Sequence, residues 1–473
     1  MFKLRDYQVK AIEDCKKVLL SKKKDKGIAV LPTAAGKSII VAELAKAVDY
    51  PLIVLQPSKE LLKQNYSKFI QIGGEASIYS VSTKQFQRKN VAYTVVDGKE
   101  VPCEEIGKVT YATIGSIMKD ISKFKKLGVK GLIIDEVHIN SKGDGNAVRR
   151  FIKGCNIKNI IGLTATPIYL ENSFEGATLK MMNRTVPRMF TKIIHVTQIS
   201  ELVKNKYWSP LIYRSIQEDG SILKPNSSGS DFTDKSQAEY YDINNLDKTV
   251  KWIVDKLEEQ DIRKSILIFV PSIKQAEELK TKIPKSEVVH SKIDHKERDR
   301  IVEGFKNLEI KVVINVNVLS VGFDHPQLDT IITTRPTMSM ALYYQQIGRG
   351  VRIHPKKESC AIIDLSGNYD RFGRIENINF EEIEGYGWGM FNGDTLLTDF
   401  PIASISRPTK QSLRLKRGNS GSVVIYFGKY TNKTVKQVHD KDPQYLMWMI
   451  DKVDFRGKKG NLLREDIKNI LKL

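Results

Sequence analysis

Short apolar runs and amphipathic stretches alternate along the first third of the chain. GIAVL (27–31) predicts a buried strand, and SIIVAELAKAV (38–48) has the apolar spacing of a helix. PLIVLQP (51–57) predicts a second strand and SKELLKQNYSKFI (58–70) a second helix, while GLIIDEV (131–137) and NIIGLTAT (159–166) predict two more buried strands. Apolar strands spaced by helices imply βαβ units and a parallel sheet. Residues 80–110 break this rhythm, and VAYTVVDGKEV there reads as a hairpin insertion. QEDGSILKPNSSGSDFTDKS (217–236) is polar and rich in turn formers, so it predicts a linker or long loop. The alternation then resumes in SILIFVP (265–271), IKQAEELKTKI (273–283), KVVINV (311–316), TIITTRP (330–336) and CAIIDL (360–365). Two α/β halves of similar design follow from this pattern. Beyond about 376 the chain turns Gly-rich, then basic, and residues 423–453 predict a compact strand–turn–helix unit.

Length fits this division, since 473 residues exceed one ordinary core. Charge adds a partner. Lys and Arg outnumber Asp and Glu by 76 to 55, for a net +21. Such a surplus points to nucleic acid first and an anionic membrane surface second, with a merely Lys-rich soluble protein as the plain alternative. Cys15, Cys103, Cys155 and Cys360 form no C-x-x-C pair and have no His at ligand spacing, so no structural zinc and no disulfide framework are expected. No run nears the ~18 apolar residues of a membrane span, and MFKLRDYQVK has no signal-type apolar core. A reducing, cytoplasmic setting is expected.

Candidate chemistry begins at LPTAAGKS (31–38), which keeps Gly36, Lys37 and Ser38 of a phosphate loop. Its flanks are strand and helix, so the backbone N–H groups near Thr33, Ala34, Ala35, Gly36 and Lys37 would gather at a helix N-terminus, where a polyphosphate is stabilised. Lys37 would reach the β- and γ-phosphates, and Ser38 would hold Mg²⁺. Leu31 replaces the first Gly of the signature, and Ala34 stands where a positive φ would suit Gly. Downstream, GLIIDEVH ends a buried strand on Asp135, Glu136 and His138. There an Asp can hold Mg²⁺ and a Glu can polarise water.

LPTAAGKS, DEVH, LTATP (163–167) and QQIGRGVR (345–352), in that order, resemble the motor motifs of superfamily 2 DExH helicases and translocases. The pattern is nearest to bacterial RadD-like and related phage DNA helicases, although the cysteine-rich region usual in the RadD-like group is missing. The resemblance covers roughly residues 1–370. It implies two tandem RecA-like parallel-sheet domains (1–205 and 246–375), a connecting segment (206–245) and a small C-terminal α+β module (376–473). It also implies that ATP and Mg²⁺ are bound and DNA is moved in replication, recombination or repair. Residue by residue, Arg5 and Gln8 would read adenine, and Gly322 and Asp324 would sit by the ribose and the cleft. Thr164 and Thr166, with His138, would couple nucleotide state to domain movement. Gln345, Arg349 and Arg352 would reach across the cleft, an arginine fork suiting the charge on a transferring phosphoryl group.

For the nucleic acid itself, Pro57, Ser58, Lys59, Thr113 and Gly115 from the first domain and Asn317, Thr334 and Arg335 from the second match loops that touch the backbone in that family. Each also reads as an ordinary βα loop or helix cap. In the C-terminal unit, which looks like a module appended to some exonucleases and phage helicases, Tyr426, Tyr430, Tyr445 and Trp448 either stack on bases or form a small core. Three rival functions stay open: an RNA helicase of the same superfamily, a non-catalytic nucleic-acid clamp, and the translocating subunit of a restriction system.

Overall fold

The computed structural model describes residues 3–472 apart from 82–89, 97–98, 104, 141–145, 174–175, 186–187, 217, 228, 320–322, 384–385, 400–408, 411–421, 426, 432 and 456. The chain divides into two compact units: Met1–Tyr169, Met182–Lys224 and Phe232–Asn368 in the first, and Leu170–Met181, Pro225–Asp231 and Tyr369–Leu473 in the second.

The first unit holds two parallel-sheet lobes. In chain order the first lobe contributes β1 (Asp25–Val30), β2 (Leu52–Gln56), β3 (Ser77–Val81), β4 (Asn90–Val96), β5 (Lys99–Pro102), β6 (Val109–Thr113), β7 (Gly131–Ile134) and β8 (Asn159–Thr164). After β9 (Ile168–Ser173) and β10 (Gly176–Met181), which pair with each other, β11 (Lys192–Val196) returns to the lobe's edge. The sheet runs β11-β1-β8-β7-β2-β6-β3-β4-β5. Its first seven strands are parallel, and β4 and β5 add antiparallel pairs, the predicted hairpin insertion. The reason is visible in composition. Ile28, Ala29, Val30, Val54, Ile133, Ile161 and Leu163 are fully buried with helices over them, and apolar β-branched strands covered on both faces make a parallel sheet. Helices α1 (Asp6–Leu19), α2 (Lys37–Lys46) and α3 (Lys59–Gln71) share that core.

The second lobe is a parallel six-stranded sheet in which β12 (Leu211–Ser215), β13 (Ile266–Phe269), β14 (Ser286–Val289), β15 (Val312–Asn315), β16 (Thr330–Thr333) and β17 (Cys360–Asp364) take the order β12-β17-β16-β13-β15-β14. Here the connecting segment differs from its composition. Within 206–245, β12 pairs with β17, and the helix Asp234–Ile243 sends Tyr240 and Tyr241 into the second core. Leu211, Ile212 and Tyr213 are too few apolar residues to stand out beside the Gly/Ser-rich stretch.

The second unit, by itself, pairs β18 (Ile378–Ile383), β19 (Gly387–Asn392) and β20 (Thr395–Leu396) antiparallel. Its core takes in the helices Val435–Lys441, Pro443–Lys452 and Gly457–Leu471 through Val435, Leu446, Met449, Leu463 and Ile467. Where a strand was expected near 423, the described residues show only a bridge of Val424 to Thr434. Tyr426 lies outside the described residues. Tyr430, Tyr445 and Trp448 pack in series, with ring centroids 5.1 and 5.3 Å apart, half-buried against this core. That is the small-core alternative for these aromatics.

Candidate nucleotide site between the parallel-sheet lobes

β1 and β8 lie side by side, so their carboxyl ends open together. Leu31 N–H bonds the Thr164 carbonyl at 2.9 Å, which fixes where the loop 31–38 departs. The loop turns through Ala35 N–H to Pro32 O (3.2 Å) and enters α2 at Lys37. Ala34 has φ 61° and Gly36 has φ 78°. Ala34 thus adopts the left-handed conformation that Gly adopts at far lower cost. At Gly36 a Cβ would lie 2.4 Å from the Gln8 amide nitrogen, and the positive φ would strain any side chain there. Gln8 and Tyr7 from α1 both donate to the Ala35 carbonyl, at 2.9 and 3.0 Å, and Gln8 also accepts from Arg5 N–H at 2.9 Å. The Arg5 guanidinium lies 3.8 Å over the Tyr207 ring.

The acidic group follows from β7. Asp135 is 4% exposed; its Oδ2 accepts from the Asn65 amide at 3.1 Å and its Oδ1 from Glu136 N–H at 3.0 Å. Burial pushes its carboxyl up from the usual range, opposed by Lys37. Glu136, at φ 44°, pairs with the Lys37 ammonium. Burial works against its charged form, yet Lys37, His138 and Arg349 together hold its carboxyl low. His138 Nδ1 lies 2.8 Å from Thr164 Oγ1 and 3.5 Å from the Glu136 carboxylate, and burial keeps the ring's pKa low. Thr164 Oγ1 also accepts from Thr166 N–H at 3.0 Å, while the buried Thr166 Oγ1 has no partner among the described residues.

The second lobe supplies the opposite wall. Gln345 lies in the last turn of the helix Met340–Ile347, and its amide lies 3.2 Å from His138 Nε2. Arg349, 7% exposed, donates to Phe323 O at 2.6 Å and feels the Glu136 charge; Arg352 Nε pairs with Asp324 at 2.5 Å. Burial disfavours the charge on both guanidinium groups, and the adjacent Arg352 adds to this at Arg349. Two desolvated cations and one ammonium facing buried carboxylates suit a polyanion accompanied by a divalent cation. With loop N–H groups at a helix start and an Asn65 Oδ1 beside Asp135 that has no partner among the described residues, the residues present fit a nucleoside triphosphate and Mg²⁺.

Lys37, Glu136, His138, Gln345 and Arg349 therefore converge, as do Asp135, Thr164 and Thr166 on the first-lobe side. Thr33 stands half-buried in the loop and Ser38 half-buried in the first turn of α2. Gly322 lies outside the described residues. The residues proposed for nucleic acid are not drawn into this cluster. Ser58 caps α3 by accepting from Leu61 N–H at 3.3 Å, between Pro57 and Lys59. Thr113 bonds Ser116 at 2.9 Å, Gly115 is exposed, and Asn317 pairs with Arg335. Thr334 is fully buried and donates to Phe269 O at 2.9 Å, so its hydroxyl does not reach a strand on the surface. Four contributors escaped the sequence reading: Asn65, Tyr344, Trp208 and Tyr207. An Asn in mid-helix and aromatics outside any motif carry no signal of their own.

Residues 1–169 match the family described as the res subunit of type III restriction enzymes, 247–354 the helicase conserved C-terminal domain, and 425–454 the exodeoxyribonuclease X-like C-terminal domain. The chain is 26% identical over 381 residues to "Putative ATP-dependent helicase IRC3" of Saccharomyces cerevisiae, covering 77% of this chain and 51% of that protein. It is 25% identical over 416 residues to "Putative helicase 22" of a Sulfolobus islandicus filamentous virus, covering 82% and 68%. The chain thus spans about half the length of the yeast relative. Among solved structures, a fragment of "a putative HsdR subunit of a type I restriction enzyme" from Vibrio vulnificus superposes with a TM-score of 0.56 at 20% identity, covering 78% of this chain and 65% of that one, a likeness of fold.

Proposed function

We propose that the chain is a superfamily 2 helicase working as an ATP-driven DNA translocase, with its hydrolytic site between its two parallel-sheet lobes. The observation that carries this reading is the meeting of Lys37 and Glu136 from one lobe with Gln345 and Arg349 from the other.

In this reading the loop 33–38 receives the phosphates, and Lys37 exchanges its Glu136 partner for them. Glu136, released, orients the attacking water and takes its proton. His138 links that carboxylate to Thr164, and through Gln345 to the second lobe, so hydrolysis is felt by both. Arg349 stabilises charge on the transferring phosphoryl group, with Arg352 beside it. Asp135 and Ser38 would hold Mg²⁺, which would neutralise phosphate charge. Arg5 and Gln8 border the base, and here Gln8 already spends its amide on Ala35 and Arg5. The net +21 favours a polyanionic track, and DNA replication, recombination or repair is the proposed setting. Pro57, Ser58, Lys59, Thr113, Gly115, Asn317 and Arg335 are the proposed backbone contacts.

The test is ATP hydrolysis measured with single-stranded, duplex, forked and four-way DNA and with the matching RNAs. DNA-stimulated hydrolysis is expected. Stimulation by RNA alone would replace DNA with RNA as the substrate, and nucleotide binding without turnover on any of them would leave only a clamp.

A further inference from the structure

Three consecutive residues of the connector between the lobes each touch a different part of the nucleotide site. The Tyr207 ring lies under the Arg5 guanidinium at 3.8 Å, with the Tyr7 ring centroid 5.9 Å away. The Trp208 indole N–H donates to the Thr33 carbonyl at 3.0 Å. Ser209 N–H donates to the Val351 carbonyl at 2.8 Å, between Arg349 and Arg352. One stretch of backbone thus reaches α1, the phosphate loop and the arginine loop in turn.

The tripeptide is pinned at both ends. Before it, Lys206 takes a left-handed φ of 57° and Tyr207 N–H returns to Leu202 O at 2.8 Å, closing the helix Ile199–Lys204. After it, the Pro210 carbonyl accepts from Cys360 N–H at 2.8 Å, at the start of β17. Trp208 and Ser209 are each 4% exposed. The far face of Thr33 is held as well, because its N–H donates to the Tyr344 hydroxyl at 3.3 Å. Both backbone polar groups of Thr33 are therefore engaged outside the phosphate loop, one by the connector and one by the helix that carries Gln345. Trp208 is buried, so its indole N–H would be left without a partner if the half-buried Thr33 carbonyl moved away; the Thr33 position and the Trp208 position are tied.

We propose that Trp208 is a positioning residue: through its indole N–H and the adjoining Ser209, it makes the placement of the phosphate loop and of the Arg349–Arg352 loop interdependent. The inference rests on the motor reading above and gives that reading its internal linkage. Nucleotide entering the loop shifts Thr33, the connector follows, and the arginine loop is drawn into or out of register with the phosphates.

The full chain carrying Trp208→Phe keeps the aromatic bulk and removes the donor. With duplex DNA, kcat for ATP is expected to fall about tenfold. KM for ATP should stay within about twofold and the melting temperature within about 2 °C, a split that simple loss of packing does not give. Unchanged kcat, or a fall in kcat that tracks lost melting temperature, overturns the proposal. A second reading needs no turnover. With Trp252, Trp388 and Trp448 replaced by Phe, Trp208 is the only indole left, and its emission should change saturably as ATP or ADP binds. An emission indifferent to nucleotide that equilibrium dialysis shows to be bound overturns the proposal alone. A parent chain that binds ATP yet never hydrolyses it overturns the motor reading alone.

Discussion

Two side-chain-bearing residues of the site, Ala34 and Glu136, hold left-handed backbone at φ 61° and 44°. Each such conformation costs roughly 1–2 kcal/mol outside Gly, and strain of this kind persists where the surroundings over-determine it. Ala34 is fixed between the Pro32 turn and the Ala35 carbonyl, which receives Tyr7 and Gln8. Ala34→Gly relieves the strain but loosens the unfolded chain, so equilibrium unfolding should show a gain of at most about 1 kcal/mol. ATP turnover should stay within about fivefold. Glu136→Gln removes the base and keeps the shape, so turnover should drop at least about a hundredfold while nucleotide affinity, read by dialysis, holds. His325, 2% exposed with Ser265 Oγ at 2.7 Å, offers a pH test. Burial, with Lys357 and Lys306, pushes its pKa down to about 4. Between pH 6.5 and 4 the unfolded chain therefore binds a proton that the folded chain refuses. Stability falls as pH drops through that window, by up to roughly 1.4 kcal/mol per pH unit. Denaturant unfolding of His325→Gln should show a shallower fall than the parent over the same range.

At the scale of elements, the site depends on a close approach of the arginine loop to the phosphate loop. A Cβ on Gly348 would meet Tyr344 O at 2.8 Å and Thr33 Oγ1 at 3.0 Å. Gly348→Ala should push the two loops apart and lower kcat about tenfold or more, with little change in the apolar cores. A variant with parental kcat would show that this approach is incidental. The strands that carry the site were legible because they are buried on both faces: GIAVL, GLIIDEV and NIIGLTAT lie close to β1, β7 and β8. The motif residues at their carboxyl ends were legible for the same reason, since chemistry there is fixed by topology. The strand Leu211–Ser215 was hidden because its exposure pattern is mixed and its neighbours are turn formers. Trp208 and Tyr344 were hidden because an aromatic reads as core until its polar atom has a named partner. Thr334 misled in the opposite sense: a hydroxyl after a strand suggests a phosphate contact, yet here it bonds a β13 carbonyl.

At the scale of the whole molecule, charge and lobe pairing decide what the site can act on. With a net +21, binding to DNA should release counterions. The DNA concentration for half-maximal stimulation should rise steeply and log-linearly between about 50 and 200 mM salt, while hydrolysis without DNA stays nearly flat. A flat stimulation curve would argue against a phosphate-tracking surface. Among the described residues no helix is long and apolar enough to cross a membrane. The surplus charge is read against nucleic acid because the motor lobes suggest that partner. The central claim is that one hydrolytic site is shared between lobes, and Arg349 tests it most directly because it stands on the lobe that does not carry Lys37 or Glu136. Steady-state ATP hydrolysis by Arg349→Ala with saturating duplex DNA should fall by about a thousandfold, with ATP still bound within roughly tenfold of parental affinity. Hydrolysis retained within about threefold would mean that the first lobe works alone, and would contradict the account.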